Sequence, residues 1–164
     1  MVIEIKKILE SDLEFLNQVR NTYANLYLHD SRIFTLEETL NWFNTYSPNY
    51  YIIFLHNTRI GYFRISNFSE INKNVYVGAD LDSKYHGQGL AYKSYLKFIP
   101  FLFESYNLNK ISLEVLENNE RAICLYKKLG FKVEGIKREE VYKNGKYINS
   151  IIMSILHSEF KDRF

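Results

Sequence analysis

The sequence predicts a single α/β domain built from about seven strands and about four helices. The chain has 164 residues, which is enough to bury one sizeable core and too few for two comfortable domains. Strand-like and helix-like segments alternate along it, without an internal repeat, a low-complexity segment or a linker. We therefore expect residues 1–164 to form one domain.

The composition is typical of a globular protein that has no nucleic-acid or membrane partner. Hydrophobic residues make up 46% of the chain and charged residues 24%, a balance that excludes extensive disorder. The net charge of +2 lacks the basic surplus that contacts to nucleic-acid phosphates require. No run of about 18 apolar residues and no signal segment occurs. A single cysteine, Cys124, excludes an internal disulfide, and we expect a cytoplasmic protein.

The first third of the chain predicts one strand followed by two helices. Residues 2–8 alternate in polarity as a strand does. Each helix is opened by a capping box, and the two boxes are Ser11 with Glu14 and Thr35 with Glu38. The first helix is expected to run to about Arg20, and the second to end before Pro48.

The middle of the chain predicts a three-stranded meander and a third helix. The strand-like runs are YYIIFLH, RIGYFRISNF and NVYVGADL, and turns rich in Asn and Ser separate them. A helix is expected to begin at about Gly89. Pro100 lies within it and is expected to bend the helix or to restart it at a new first turn.

The last third predicts a strand, a fourth helix and a terminal hairpin. The run KISLEVLE alternates as a strand, and residues 119–129 read as a helix with Gly130 as its left-handed cap. Residues 131–143 and 146–157 flank Asn144-Gly145, the strongest short-range signal for a two-residue hairpin turn.

The segment HGQGLA, residues 86–91, predicts a phosphate-binding loop. It lies between a strand and a helix, so backbone N–H groups and the helix N-terminus can converge on one anion. Its glycines let the backbone approach a pyrophosphate and adopt positive φ. No Gly-Lys-Ser/Thr follows, which excludes a Walker loop. Taken alone, two close glycines before a helix are more often a tight turn than a phosphate loop.

A second motif, downstream of the loop, indicates which kind of protein carries it. The strand ending in LEV is followed by Asn119, then Ala122, then Tyr126, and then LGF. With the loop, this arrangement resembles the GNAT superfamily of acetyl-CoA-dependent N-acetyltransferases, and within it the branch of ribosomal-protein N-terminal and spermidine acetyltransferases. The resemblance extends from about Ser11 to Leu156. It implies a mixed central sheet that is splayed between the fourth and fifth strands.

The resemblance implies acetyl-CoA as co-substrate and no metal. The pantetheine arm would pair with the main chain of Ala79, Asp80 and Leu81 and would contact Asn119. The pyrophosphate would lie on the loop formed by His86, Gly87, Gln88, Gly89, Leu90 and Ala91. His86 stands where relatives carry Gln or Arg, so the backbone of the loop is expected to bind phosphate and the side chain of His86 is not.

The resemblance places Tyr126 at the general-acid position, where it would protonate the departing thiolate. A phenol near pKa 10 protonating a thiol near 8.5 is uphill by about 2 kcal/mol, which a poorly solvated site tolerates. Glu114 lies where some relatives carry a general base, and it faces away from Ile111 and Leu113 on its strand. Two interpretations of Glu114 stand: a base acting through water, or a solvated carboxylate. Cys124 is expected to be a small buried hydrophobic residue without a covalent role.

The acceptor wall in this family is formed largely by the first two helices and their connection. Candidate residues there are Tyr27, His29, Asp30, Glu38 and Trp42, together with the tyrosines Tyr23, Tyr50 and Tyr51. The carboxylates suit a cationic acceptor, and the tyrosines suit a sugar or a peptide. Glu38 also has a structural role in its capping box.

The sequence thus predicts an acyltransferase that moves an acetyl group from acetyl-CoA directly to a primary amine of a small molecule, either a polyamine or an amino sugar. Two alternatives remain open: acetylation of a protein N-terminus, and a non-catalytic CoA-binding module. Exposed aromatic side chains and hairpin edges favour a homodimer.

Overall fold

The computed structural model describes residues 2–164, which form one seven-stranded sheet and five helices. The strands are β1 (Ile3–Lys7), β2 (Tyr50–Leu55), β3 (Thr58–Ser69), β4 (Asn74–Leu81), β5 (Lys110–Leu116), β6 (Lys132–Lys143) and β7 (Lys146–Leu156). The helices are α1 (Leu13–Ala24), α2 (Leu36–Tyr46), α3 (Leu90–Ser105), α4 (Glu120–Leu129) and α5 (His157–Arg163). The predicted order of elements is confirmed, except that α5 was not foreseen.

The sheet is mixed and opens in its middle. Its strand order is β1-β2-β3-β4-β5-β7-β6, with β4 and β5 parallel and the other neighbours antiparallel. The ladder between β4 and β5 joins only Asn74–Tyr76 to Lys110–Ser112. Beyond Tyr76 the two strands diverge, which confirms the predicted splay.

The two faces of the sheet bury different cores. Alternation along β2 and β3 turns Ile53 and Phe63 towards α3, while Ile52 and Tyr62 pack under α1 and α2. All four side chains are buried. The sheet therefore separates an aromatic core beneath α3 from a smaller one beneath α1 and α2.

The start of the first helix differs from the prediction. A 3-10 turn over residues 10–12 precedes α1, and the carboxylate of Asp12 accepts a hydrogen bond from the N–H of Leu9 at 2.8 Å. Arg59 of β3 donates to the same side chain at 2.7 Å. The predicted box of Ser11 and Glu14 is therefore wrong, because Asp12, held by a partner distant in sequence, closes this end instead.

The second capping box is confirmed. The N–H of Thr35 donates to Glu38 Oε2 at 2.7 Å, and the N–H of Glu38 donates to Thr35 Oγ1 at 3.1 Å. The predicted hairpin turn and the predicted C-terminal cap of α4 are also confirmed. Asn144 and Gly145 have φ values of 49° and 78°, and Gly130 ends α4 with φ 98°.

Pro100 does not restart α3, which runs unbroken from Leu90 to Ser105. A proline in a helix removes one backbone donor, and here the flanking side chains of Ile99 and Leu102, both fully buried, hold the helix on the sheet. The last strand ends at Leu156, where Glu159 accepts from the N–H of Leu156 at 3.0 Å and opens α5. None of the helices formed by residues 2–164 combines the length and apolar character needed to cross a bilayer.

Candidate active site

The splay leaves one edge of β4 without a strand partner. A Cβ placed on Gly61 of β3 would lie 2.5 Å from the carbonyl oxygen of Asp80, so that carbonyl is directed towards β3. Main-chain groups alternate along a strand, and those of Ala79 and Leu81 are therefore directed into the splay. The Leu81 carbonyl already accepts from Tyr23 Oη at 2.8 Å. The main-chain groups of Ala79 and the N–H of Leu81 remain available to an extended ligand.

The first cavity, here named the loop cavity, lies between the glycine loop, the free edge of β4 and α4, and measures about 360 Å³. Its walls include most of the residues expected to bind the co-substrate: Ala79, Asp80, Leu81, His86, Gly87, Gly89, Leu90, Ala91 and Asn119. Gln88 does not line it, because its side chain turns back and donates to the Lys84 carbonyl at 2.9 Å.

The glycines shape an open cradle at the start of α3. Gly87 and Gly89 have φ values of 75° and 71°, and nothing lies within 4 Å of a Cβ added to either. Gly89 is the N-cap of α3, so the unpaired N–H groups of the first turn face this space. These features fit a pyrophosphate group.

His86 is held by the protein itself. Its Nε2 lies 3.0 Å from the Leu81 carbonyl and 2.9 Å from Tyr23 Oη, and its ring stacks on that of Tyr23. Burial lowers the pKa of His86, and the nearby charge of Arg121 lowers it further. Tyr23, which was expected on the acceptor wall, lines the loop cavity instead, because its hydroxyl is bound at the end of β4.

The loop cavity also contains Arg121, which the sequence prediction did not include, and Lys128, which the resemblance allowed to reach the 3′-phosphate of CoA or to be simply solvated. The two lie seven residues apart on α4, which places both cations on the face that lines the cavity. That helical spacing is the signal that could have found Arg121. Cys124 lies on the same face and is exposed, so its predicted burial is wrong.

The second cavity, here named the large cavity, measures about 580 Å³ and lies under α2 and the connection between α1 and α2. The predicted acceptor residues Tyr27, His29, Asp30, Glu38, Trp42 and Tyr50 all line it. Tyr51 does not. It points to the opposite face of β2, where its hydroxyl lies 2.8 Å from that of Tyr106 and its ring packs on Phe98.

The two cavities share part of their walls, and this shared strip is here named the seam. The seam is formed by Tyr27, Ala79, Asp80, Asn119 and Tyr126. The Asn119 side chain accepts from the N–H of Ala122 at 3.3 Å, which caps α4 and leaves its amide N–H₂ without a partner among residues 2–164. Tyr126 is buried, with its hydroxyl 3.5 Å from that of Tyr95, and burial raises its pKa.

Glu114 faces the large cavity within a hydrogen-bonded cluster. Its Oε1 accepts from Lys137 Nζ at 2.7 Å, and its Oε2 accepts from Ser150 Oγ at 3.3 Å. Ser150 Oγ lies 2.7 Å from His29 Nε2, which is also 3.6 Å from Glu114. Burial lowers the pKa of His29, although the charge of Glu114 opposes this. Both carboxylate oxygens of Glu114 thus have partners within the protein.

The other predicted acidic residues are also engaged. Asp30 accepts from Arg32 through both oxygens, at 3.0 and 2.7 Å, and these hydrogen bonds lower the pKa of Asp30 to about 2. Arg20 lies 3.7 Å from the same carboxylate. One oxygen of Glu38 is used in the capping box.

A partly buried ion pair that the sequence prediction did not include lines the large cavity. Arg64 Nη1 donates to Asp80 Oδ2 at 2.7 Å. Burial opposes the charge of Arg64, but Asp80 outweighs it and raises the pKa of the guanidinium. A Cβ on Gly78 would lie 2.6 Å from Arg64 Nη2, so a side chain there would displace the guanidinium from this position. The pairing depends on the register of β3 and β4, which no local sequence signal reports.

Comparison with known proteins agrees with this architecture. A family model described as an acetyltransferase (GNAT) domain matches residues 3–132. The spermidine N(1)-acetyltransferase of Escherichia coli (strain K12) is 24% identical over 163 residues, which cover 96% of this chain and 88% of the relative. The putative ribosomal N-acetyltransferase YdaF of Bacillus subtilis (strain 168) is 25% identical over 101 residues, 62% of this chain and 55% of the relative.

A solved structure has the same fold. The spermidine N-acetyltransferase from Vibrio cholerae, solved in complex with CoA and spermine, superposes with a TM-score of 0.90 at 22% identity, covering 97% of this chain and 98% of that one. Together with the family match over most of the chain, these findings identify the protein: it belongs to the GNAT family of N-acetyltransferases.

Proposed function

We propose that the protein transfers the acetyl group of acetyl-CoA directly to a primary amine of a polyamine. The seam is the observation that carries this proposal, because Tyr126 and Asn119 lie where a cavity suited to CoA meets a second cavity large enough for a small amine. The names of the relatives from Escherichia coli and Vibrio cholerae supply the class of acceptor.

The residues of the loop cavity fit CoA by their chemistry. The N–H groups of the glycine loop and the start of α3 would take the pyrophosphate, and the main chain of Ala79 and Leu81 would pair with the pantetheine arm. The free amide of Asn119 would donate to the same arm. Arg121 and Lys128 would add positive charge near the phosphates. Bound in this way, acetyl-CoA supplies an activated thioester at the seam.

Tyr126 would act as the general acid. The attacking nitrogen forms a bond to the carbonyl carbon, the carbon–sulfur bond breaks, and the proton of Tyr126 passes to the sulfur. The nitrogen then gives up a proton, which restores Tyr126. Since burial raises the pKa of Tyr126, the phenol stays protonated until the thiolate forms.

Glu114 would act as a positioning group. Because Lys137 and Ser150 occupy its oxygens, we assign it the role of holding His29 in the wall of the large cavity. His29, with its lowered pKa, is neutral at pH 7 and does not repel a cationic acceptor.

The first test is CoA release from acetyl-CoA over spermidine, spermine, amino sugars, amino acids and short peptides. We expect turnover with the polyamines, and a fall of about a hundredfold in kcat for Tyr126→Phe, the usual scale for loss of a general acid. Tyr142→Phe is the matched control, because Tyr142 is exposed on β6 and lines neither cavity.

Other outcomes separate the alternatives. Turnover only with peptides would replace the polyamine by a protein N-terminus, in line with the similarity to YdaF. Binding of acetyl-CoA without release of CoA for any amine would favour a non-catalytic CoA-binding module. Full activity of Tyr126→Phe would contradict the role proposed for the phenol.

A further inference from the structure

The carboxylates of the large cavity differ in how many of their oxygens have hydrogen-bond partners within the protein. Lys137 and Ser150 hold Glu114, and Arg32 holds both oxygens of Asp30. Glu38 is exposed and lies away from the seam. Asp80 is the carboxylate that lines both cavities, and among residues 2–164 only one of its oxygens, Oδ2, has a partner. Its Oδ1 is therefore a free acceptor at the seam.

A buried hydroxyl lies beside this free oxygen. Tyr62 of β3 is directly opposite Asp80 of β4 in the strand register, so the two side chains are neighbours on the same face of the sheet. Tyr62 is 1% exposed and lines the large cavity, and its hydroxyl makes no hydrogen bond of good geometry with residues 2–164. Burial and the nearby Asp80 carboxylate raise the pKa of Tyr62. Because this hydroxyl lines a cavity, a ligand can supply the hydrogen bond that buried polar groups usually make.

We propose that Asp80 Oδ1 and Tyr62 Oη together bind the attacking nitrogen of the acceptor. The inference rests on the proposed function, since the nitrogen is that of the amine to be acetylated. An amine nitrogen has enough hydrogens to donate to both oxygens at once. It would lie on the same strip of wall as Tyr126, which is where the transfer requires it.

Arg64 explains why this position suits a nucleophile. The ion pair with Asp80 is neutral as a unit, so the site does not trap a permanent cation as an unpaired carboxylate would. Arg64 offsets the charge of Asp80, so the carboxylate raises the pKa of the bound amine less than an unpaired carboxylate would, and the neutral, reactive form stays accessible. The pair would thereby orient the amine without holding it as a cation.

The test compares two buried hydroxyls. Like Tyr62, Ser94 of α3 is fully buried with an unpaired hydroxyl, but it lines neither cavity. We expect Tyr62→Phe to raise the KM for spermidine at least tenfold, to leave the KM for acetyl-CoA unchanged and to fold as stably as wild type. Ser94→Ala should leave both KM values unchanged. Asp80→Asn, whose amide oxygen can still accept from Arg64, should lower kcat/KM for spermidine about a hundredfold.

Binding measured without turnover gives a second readout. Spermine should raise the melting temperature of wild type and of Ser94→Ala, and it should not raise that of Tyr62→Phe. A Tyr62→Phe variant with the wild-type KM for spermidine, or with equal losses for both substrates, would overturn the proposal whether or not Asp80→Asn folds. If wild type acetylates no amine, the proposed function fails; if wild type is active and Tyr62→Phe matches it, only the binding position fails.

Discussion

The loop cavity and the large cavity are built from different kinds of groups. One end of the first is formed by backbone atoms, two glycines with positive φ and a helix N-terminus, and these lie close together in sequence. Pairs of charged side chains from distant elements form the second, such as Arg64 with Asp80 and Lys137 with Glu114. Under the proposed function, binding of the co-substrate would depend in large part on local backbone geometry, whereas selection of the acceptor would depend on tertiary contacts.

Among the changes that distinguish the two cavities, the largest effect on the KM for acetyl-CoA should follow from changing the glycine loop. Replacing Gly87 and Gly89 together by Ala forces two residues into a left-handed conformation that costs about 1–2 kcal/mol each, and it adds two methyl groups to the loop proposed to bind the pyrophosphate. We expect the KM for acetyl-CoA to rise at least tenfold in steady-state kinetics, with little change in the KM for the amine.

Gly145→Ala is the control for strain alone. Gly145 has φ 78° and lies in the hairpin turn, away from both cavities, with open space for a Cβ. If Gly145→Ala raised the KM for acetyl-CoA as much as the double change does, the special role of the glycine loop would be wrong.

A smaller effect should follow from releasing the connection that carries the acceptor wall. Lys143, buried at the end of β6, donates to the Ala24 carbonyl at 2.8 Å and to Ser31 Oγ at 2.5 Å. We expect Lys143→Met to lower the free energy of unfolding by about 1–3 kcal/mol, measured by urea denaturation, because these hydrogen bonds are charge-assisted. The KM for the amine should rise severalfold and the KM for acetyl-CoA should not.

Lys146→Met provides the matched control, since Lys146 begins the next strand and is exposed. Equal changes in the two KM values of Lys143→Met would show that the hairpin supports the whole domain and not the acceptor wall in particular.

The smallest effect concerns the charge state of His29. Because burial lowers its pKa, the imidazole should titrate below about 6.5 by NMR. Removing the opposing charge with Glu114→Gln should lower this pKa further, and removing a like charge with Lys137→Met should raise it.

The lowered pKa of His29 also makes stability depend on pH. The unfolded chain binds the proton more tightly, so the folded state loses stability as the pH falls below about 6.5. His29→Gln, which also assigns the NMR signal, should reduce that loss. If the pKa of His29 is the same in Glu114→Gln and Lys137→Met as in wild type, the predicted interaction of His29 with these two charges is wrong.

Much of the fold could be predicted because its signals are local. The Asn144-Gly145 turn, the Thr35 box and the Gly130 cap each involve neighbouring residues, and each is present in the structure. The helix α5 could not be predicted in this way. Its Phe160 is buried against Phe103 of α3, a contact between residues far apart in the chain.

The residues of the candidate site likewise fall into those with a local sequence signal and those that depend on tertiary packing. The glycine loop, Asn119 and Tyr126 follow from two sequence motifs. Tyr62 and Arg64 were missed because an alternating strand gives no sign of which face will meet a cavity, and that depends on the packing of α1 and α2. Cys124 was misplaced for a similar reason: its neighbours are apolar, but its face of α4 lines the loop cavity.

The short ladder between β4 and β5 has a consequence for cooperativity. Only three residues of each strand join the half-sheet β1–β4 to the half-sheet formed by β5, β7 and β6. A pantetheine arm lying along the free edge of β4 would serve as an additional strand between the halves. The free energy of binding the co-substrate would then also act as free energy of folding, and amide hydrogens on both half-sheets would exchange more slowly once it is bound.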